Sequence, residues 1–257
     1  MALQISKIIP YFIAGWVPGG RRLCVLCDRR VHRFMPYRNG WAGVPRLICL
    51  LDVIGSDPEQ FECPRCGGHD RERHLLMYLR ELEILPWLAG KAVLHFAPEK
   101  RLSRILAGLG MMRYVRCDLY PEREGIERVD MMDISFPDNT FDLVIANHVL
   151  EHVDDVERAI AELHRVVRSG GFAVLQTPYS QILQGTWEDR GIVDPAARLQ
   201  AYGQEDHVRL FGIDIFDRFT RSGFVSSVCT HGQVLEQYDP VRHGVNPREP
   251  FFLFRKP

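Results

Sequence analysis

A short apolar run near the middle of the chain, FDLVIA at residues 141–146, constrains the fold more than any other feature. It is almost continuously apolar, as expected of a parallel strand that helices cover on both faces. Two polar residues, Asn147 and His148, follow it directly. Ligands of open α/β sheets bind beyond the carboxyl ends of the strands, so these two side chains are predicted to lie at a binding site.

Strands and helices are predicted to alternate on both sides of this run. Apolar runs predict strands at 92–97, 114–117, 126–129 and 171–177. Apolar residues at helical spacing predict helices at 102–109 and at 156–167, the second of which ends at the Ser169-Gly170-Gly171 turn. Strands that alternate with helices indicate an α/β fold with a mostly parallel sheet.

The chain is long enough for two units, since it has 257 residues of which 46 % are apolar. Residues 71–85 are predicted to form a bridging helix that ends at Pro86. We therefore expect an N-terminal unit, with this helix, at residues 1–86 and an α/β domain at 87–257. A helix at 213–222 and strands at 224–230 and 251–255 are predicted to close the sheet with an antiparallel hairpin.

The segment ISFPDNTFDLV, followed by LEHV, a helix and an SGG turn, resembles the motif order of class I S-adenosylmethionine (SAM)-dependent methyltransferases, of the methyltransferase type 11-like group. The resemblance extends from about Trp87 to the C-terminus. It implies a Rossmann-like fold, SAM as the cofactor, and transfer of a methyl group to an oxygen or nitrogen atom of an acceptor.

The resemblance also implies which residues contact SAM. Asp118 would accept hydrogen bonds from the ribose hydroxyls, and a carboxylate suits this role as a strong double acceptor. Asp130 would bind the adenine amino group and the Met131 backbone N–H a ring nitrogen. The methionine part of SAM would lie near a third group of residues: Ala97, Glu99 and Asn147.

One loop departs from the pattern of the group. The first strand is usually followed by a glycine-rich loop, whereas this chain has HFAPE and no glycine there. Two interpretations of Glu99 are open. It is either a partner for the SAM ammonium group or a carboxylate stabilised at the N-terminus of a helix.

Two CxxC pairs, Cys24/Cys27 and Cys63/Cys66, predict a structural zinc site with four thiolate ligands. The 35 residues between the pairs form a long loop, but closure entropy rises only logarithmically with loop length. Disulfides or a redox dithiol are the alternatives, although stable disulfides do not fit a reducing compartment. Cys49, His69 and His74 are reserve ligands.

The region 179–216, after the fifth strand of the domain, is predicted to enclose a small-molecule acceptor. If the acceptor must lose a proton, His148 and then His207 are the candidate bases, because histidine titrates near neutral pH. Tyr179, Trp187 and Arg209 are weaker candidates for holding the acceptor. The same region is equally consistent with a capped loop that leads into the next helix.

Net charge is −1, which gives no global attraction to nucleic acid. Seven arginines and one aspartate lie between Arg21 and Arg46, so an RNA acceptor is one alternative. A non-catalytic, zinc-dependent binding protein is another. The apolar start of the chain contains Lys7 and Pro10 and has no signal-peptide pattern, so we expect no membrane contact and a cytoplasmic location. The sequence does not indicate an oligomeric state.

Overall fold

The structure, a computed structural model, describes residues 5–257 of the chain. The helices of this part are α1 (Ile5–Trp16), α2 (Arg46–Leu50), α3 (Asp70–Glu81), α4 (Ile84–Trp87), α5 (Lys100–Ala107), α6 (Val156–Val166), α7 (Pro195–Tyr202), α8 (Asp214–Arg221), α9 (His231–Val234) and α10 (Pro240–His243). The strands are β1 (Arg22–Cys24), β2 (Arg29–Val31), β3 (Val53–Ile54), β4 (Ala92–Phe96), β5 (Arg113–Asp118), β6 (Glu127–Arg128), β7 (Phe141–Ala146), β8 (Val167–Val174), β9 (Tyr179–Ser180), β10 (Val225–Ser226) and β11 (Leu253–Arg255). Two 3₁₀ helices lie at Gly40–Gly43 and Leu150–His152.

Seven strands form one sheet in the order β10-β11-β8-β7-β4-β5-β6. The strands from β8 to β6 run parallel to one another, while β11 is antiparallel to both of its neighbours, β8 and β10. This is the predicted Rossmann-like sheet with a C-terminal antiparallel hairpin, and the predicted fold is confirmed. The interior strand β4 is buried along its whole length, which explains its largely apolar sequence.

Helices cover both faces of the sheet. On one face α6 and α8 pack against alternate strand residues such as Leu94 and Val144. On the other face α3 and α5 pack against Val93 and Leu143. The alternation follows from the two-residue period of a strand, and burial of each such side chain stabilises the fold by about 1.5–3 kcal/mol.

Several predicted boundaries are wrong. β7 has the predicted bounds, but β8 begins at Val167, immediately after α6, so that the SGG turn lies inside the strand. Gly170 has a φ of +79° and the pairing with β7 shifts register here, which marks a bulge that glycine permits. The predicted strand at 224–230 is reduced to β10, and Cys229 makes only an isolated bridge with Phe251.

The predicted helix at 71–85 is divided into α3 and α4, and Pro86 does not end it. The break lies at Glu83, whose backbone is left-handed with a φ of 56°. Pro86 falls within the first turn of α4. Since the N–H groups of a first turn have no intrahelical acceptor, proline costs no hydrogen bond there.

The first segment of the chain forms α1, which contains Pro10. Ala14 is buried, whereas Phe12 and Trp16 are more than half exposed. In the described part of the chain no helix is long and apolar enough to cross a membrane. Residues 1–4, which belong to the apolar start noted in the sequence, lie outside the described residues.

The N-terminal segment is joined to the α/β sheet region by buried polar contacts. β3 pairs antiparallel with β9, which follows the fifth parallel strand. Glu72 on α3 accepts hydrogen bonds from the backbone N–H groups of Arg101 and Leu102 in α5. The division at residues 86 and 87 remains a prediction.

Arg73, also on α3, makes several of these contacts with one side chain. Its guanidinium is fully buried and lies 3.9 Å from the centre of the Phe34 ring. It donates to the carbonyls of His243 (3.0 Å), Gly68 (2.9 Å) and Gly244 (2.6 Å). One side chain therefore ties the cysteine-containing segment to residues 170 positions later in the chain.

We expect Arg73→Met to lower the free energy of unfolding by about 3 kcal/mol or more, because several buried carbonyls lose their donor. Urea denaturation followed by tryptophan fluorescence, with zinc present, measures the change. Arg104→Met, at an exposed position of α5, is the matched control and should leave stability nearly unchanged. Equal stability of the two variants would contradict the structural role of Arg73.

Candidate functional site

Adjacent strands β4 and β7 end in residues with unusual backbone conformations. Phe96 and Ala146 are paired in the sheet. Just beyond them, Ala97 has a φ of 43° and His148 a φ of 57°. Non-glycine residues in the left-handed region cost free energy and gather at functional sites. In this loop, which has no glycine, Ala97 takes the left-handed conformation that glycine would adopt more easily.

Glu99 lies immediately before α5, at the N-cap position, but its side chain does not cap the helix. One carboxylate oxygen accepts a hydrogen bond from Asn147 Nδ2 at 2.6 Å, and the other lies 3.2 Å from His95 Nε2. Burial alone would raise the pKa of Glu99, but the hydrogen bond and charge of His95 hold it below its usual value. Glu99 is thus an anion whose position is fixed by Asn147.

The predicted ribose and adenine residues lie at the same edge of the sheet. Asp118 ends β5, and its Oδ1 accepts the Tyr120 backbone N–H at 2.9 Å. Asp130 follows β6, and its Oδ1 accepts the Met132 backbone N–H at 2.8 Å. Both aspartates are partly exposed, while the Met131 side chain is buried in the core. The structure therefore places all six predicted SAM contacts after β4, β5, β6 or β7.

His148 lies between two buried carboxylates. Its Nε2 is 3.1 Å from Glu249 Oε1, and its Nδ1 is 3.5 Å from Glu151 Oε1. Burial alone would lower the pKa of His148, but the hydrogen bonds and charges of the two glutamates raise it to about 9. Contrary to the expectation of titration near pH 7, His148 keeps its proton at neutral pH, and this arrangement does not favour the predicted role as a base.

His207, the second candidate base, is neutral in this environment. Burial lowers its pKa below the usual value. Its Nδ1 lies 3.0 Å from the Tyr202 carbonyl oxygen and donates to it. Its Nε2 is buried and has no hydrogen-bond partner among the described residues. The nearest carboxylate oxygen, Glu151 Oε1, is 4.0 Å away.

Glu249 is a site residue that the sequence did not predict. Besides His148 it contacts His74, whose Nδ1 is 3.7 Å from Glu249 Oε2, and His74 in turn lies 3.1 Å from His231. Glu249 sits in a turn-rich loop about 100 residues after His148, and no sequence pattern connects the two. Only the fold brings them together.

A cavity of about 530 Å³ opens beside His148 and His207. Its wall comes partly from the predicted acceptor region, through Leu199 and Tyr202, and partly from the N-terminal segment, through Tyr37 and other residues of the loop between the cysteine pairs. The sequence left open whether the zinc-binding unit is only structural or also helps to enclose the acceptor, and here its residues line the cavity. The loop joins the sheet region through β3, and no sequence pattern indicates that pairing.

Four residues that line this cavity each carry a buried polar atom without a partner in the described structure: Ser56 Oγ, His69 Nδ1, Arg71 Nε and His207 Nε2. Buried polar groups are nearly always hydrogen-bonded, so a cluster of exceptions is consistent with a functional role. Aromatic rings of Tyr37, Trp41 and Phe61 also line the cavity. An apolar wall with a few convergent polar groups is typical of a small-molecule site.

Arg209 does not hold a ligand. It is buried, and its guanidinium donates to Glu188 Oε2 (2.8 Å) and to the carbonyls of Leu150 (3.1 Å), Val153 and Asp154 (2.9 Å). These bonds occupy all three guanidinium nitrogens. The earlier interpretation of Arg209 as an anchor for the acceptor is therefore wrong, and the side chain instead fixes the loop after β7.

The four cysteines of the two CxxC pairs form one cluster. Their sulfur atoms lie within 4.8 Å of one another, with Cys24 to Cys66 at 3.8 Å and Cys27 to Cys63 at 4.0 Å. Sulfurs bound tetrahedrally to zinc at about 2.3 Å would be about 3.8 Å apart. The distances exclude disulfides, whose sulfurs are about 2.05 Å apart. The donor set fits zinc, and Cys49, His69 and His74 lie outside this cluster.

The two CxxC turns have the same backbone conformation. In each, the residue after the second cysteine is left-handed, with a φ of 53° at Asp28 and 70° at Gly67. Its N–H donates to the carbonyl of the first cysteine at 2.8 Å in both turns. Hydrogen bonding with Cys24 lowers the pKa of Cys27 and of Cys63 to about 7, while the same contacts raise the pKa of Cys24 itself. A bound metal would hold all four cysteines as thiolates.

Comparison with known proteins agrees with this geometry. Residues 99–175 match the family described as Methyltransferase domain. The chain is 42 % identical over 64 residues to the demethylmenaquinone methyltransferase of Lysinibacillus sphaericus, a stretch that covers 24 % of this chain and 27 % of that protein. It is 35 % identical over 63 residues to the phosphatidylethanolamine N-methyltransferase of Cereibacter sphaeroides, which covers 24 % of this chain and 30 % of that protein.

The chain thus spans less than a third of the length of these two relatives. Among solved structures, the [4+2]-cyclase SpnF superposes with a TM-score of 0.51 over 88 % of both chains at 14 % identity. That likeness shows the fold alone. Together with the family match, the strand order and the motif order, it confirms the predicted resemblance. Residues 99–175 thus match the methyltransferase domain family, and the chain has the Rossmann-like fold of class I methyltransferases.

Proposed function

We propose that this protein transfers a methyl group from SAM to an oxygen or nitrogen atom of a small molecule bound in the 530 Å³ cavity. The observation that carries the proposal is the set of buried, unpartnered polar atoms on residues that line that cavity. The cavity lies beside the strand ends where we expect SAM to bind. Relatives named as methyltransferases of a quinone precursor and of a lipid support a small-molecule acceptor.

Asp118, Asp130 and the Glu99–Asn147 pair would hold SAM. When bound, SAM supplies an electrophilic methyl group on a sulfonium, and transfer of such a group is an in-line displacement. Alignment of the acceptor and exclusion of water then provide much of the rate enhancement. The buried wall around His148 serves both purposes. Of the two histidines predicted as bases, His207 has an unpartnered ring nitrogen among the described residues, whereas both ring nitrogens of His148 lie near carboxylates. His207 Nε2 could accept a proton only while no metal ion is bound to it.

An RNA acceptor has less support. Arg38, in the arginine-rich segment, forms two hydrogen bonds of 2.7 Å with the carboxylate of Glu205. Arg22 donates to Gln60 Oε1 at 2.8 Å. These arginines are used within the chain, and their pairing favours a structural role for the segment.

The four-cysteine cluster is proposed as a structural zinc site. It is closed, since all four donors are cysteines and no position remains for a substrate. Its second pair is followed by Gly68, whose carbonyl accepts from Arg73, so the metal would hold the end of α3 that carries Arg71. Zinc would thus affect the cavity indirectly, by fixing the position of α3.

Asp118→Ala and Asp130→Ala are each expected to weaken SAM binding about tenfold or more, because a hydrogen bond to a charged group contributes about 1.5–3 kcal/mol. Calorimetric titration with SAM measures the loss. Asp133→Ala, at an exposed carboxylate a few residues away, is the matched control and should bind SAM like the wild type. Unchanged affinity in both test variants would defeat the placement of SAM.

Arg71→Met should lower kcat/KM for methyl transfer about tenfold or more, since the acceptor loses a buried donor. The assay follows labelled methyl from SAM into a pool of small metabolites, with RNA and protein pools in parallel. SAM affinity should remain close to the wild-type value. Arg80→Met, at an exposed position of the same helix, is the control. Labelling of RNA alone would overturn the choice of acceptor.

The double variant Cys63→Ser/Cys66→Ser should contain about one zinc less per chain than the wild type, with a large loss of stability. Elemental analysis of the purified protein gives the metal content. Cys49→Ser replaces an exposed cysteine outside the cluster and should retain all the metal. A double variant with the wild-type zinc content would refute the site.

A further inference from the structure

A second group of metal-ligating side chains lies at the end of β7, apart from the cysteines. Glu151, His152 and His207 each offer one ligand atom, and these atoms lie within 4.8 Å of one another. Glu151 and His207 are buried, and His152 is partly exposed. The group is positioned by the 3₁₀ helix Leu150–His152, at the edge of the sheet where ligands of this fold class bind.

His207 has the orientation of a metal-binding histidine. Such a residue donates one ring N–H to a carbonyl or carboxylate and directs the other nitrogen at the ion. Here Nδ1 donates to the Tyr202 carbonyl at 3.0 Å, while Nε2 is buried and unpartnered among the described residues. Nε2 lies 4.0 Å from Glu151 Oε1, and one ion can reach both with bonds of about 2.1 Å.

The other two side chains also have supporting partners. Glu151 Oε2 accepts a hydrogen bond from Thr177 Oγ1 at 3.0 Å, which orients the carboxylate. His152 Nδ1 lies 3.3 Å from Asp206 Oδ2. Ligating carboxylates and histidines are typically held by such outer contacts, which fix their orientation.

The backbone around the group is rigidly tied. Arg209 donates to the carbonyls of Leu150 and Asp154, which flank Glu151 and His152. The Val208 N–H donates to the Glu151 carbonyl at 3.0 Å. The segment that carries His207 is therefore hydrogen-bonded directly to the segment that carries the other two side chains.

We propose that Glu151, His152 and His207 bind one divalent first-row transition-metal ion. Two imidazoles and one carboxylate suit Mn²⁺, Fe²⁺ or Zn²⁺, and three protein ligands leave coordination positions open. Since His207 lines the 530 Å³ cavity, an open position can face it and take an oxygen atom of the bound molecule. This last role rests on the proposed function, whereas the metal site itself does not.

Mn²⁺ is the probe of choice, because it prefers nitrogen and oxygen donors and does not compete for the cysteine cluster. The zinc-loaded protein is titrated with Mn²⁺, and the signal of free Mn²⁺ is followed by electron paramagnetic resonance. We expect about one Mn²⁺ per chain in the wild type. Binding should be at least about tenfold weaker in His207→Gln and in Glu151→Gln. His164→Gln, whose ring packs on Phe224, is the control and should bind Mn²⁺ normally.

A parallel titration with Zn²⁺ tests a second ion that this donor set suits. The site is refuted if neither ion shows binding that depends on His207, or if His207→Gln and His164→Gln behave alike. Calorimetry with SAM on the same samples separates this result from the fate of the proposed methyl transfer. Metal binding that depends on His207 in a protein without SAM affinity would uphold the metal site and defeat only the methyltransferase proposal.

Discussion

The carboxylate of Glu249 is the contact on which the site depends most. It is fully buried and lies between His148, at the end of the central strand β7, and His74, on α3. Burial alone would raise its pKa, but the two histidines hold the pKa far below the usual range. A buried charge of this kind is tolerated only while its partners stay in place. These contacts hold together three parts of the chain that are far apart in sequence, around His74, His148 and Glu249.

The proposed cofactor side and the proposed acceptor side of the site meet at two consecutive residues, Asn147 and His148. Asn147 turns toward Glu99, in the loop after β4, while His148 turns toward Glu151 and Glu249. The left-handed backbone of His148 separates these two directions. Glu151 then extends the network to His207 at the cavity wall. The end of one buried strand thus organises both halves of a binding site.

The sequence predicts those features whose signal is local. The continuous apolar run of β7 and the spacing of the two CxxC pairs have a physical meaning that needs no other part of the chain. The contacts of Arg73 and Glu249 could not be predicted, because their partners lie about 170 and about 100 residues away in the chain. The error at Pro86 has another cause. The helix is already interrupted at Glu83, whose backbone is left-handed, three residues before Pro86. Pro86 then fits the first turn of the next helix, α4.

The long loop between the cysteine pairs has a consequence for how this protein responds to its surroundings. Tyr37, Trp41 and Phe61, which line the cavity, all belong to this loop, whose two ends carry the clustered thiols. Oxidation of those thiols would expel a bound metal and release both ends of the loop. The strand ends that carry Asp118 and Asp130 belong to the sheet and lie outside that loop. Oxidation would thus alter the wall of the cavity, with less effect on the strand ends that are proposed to hold the nucleoside.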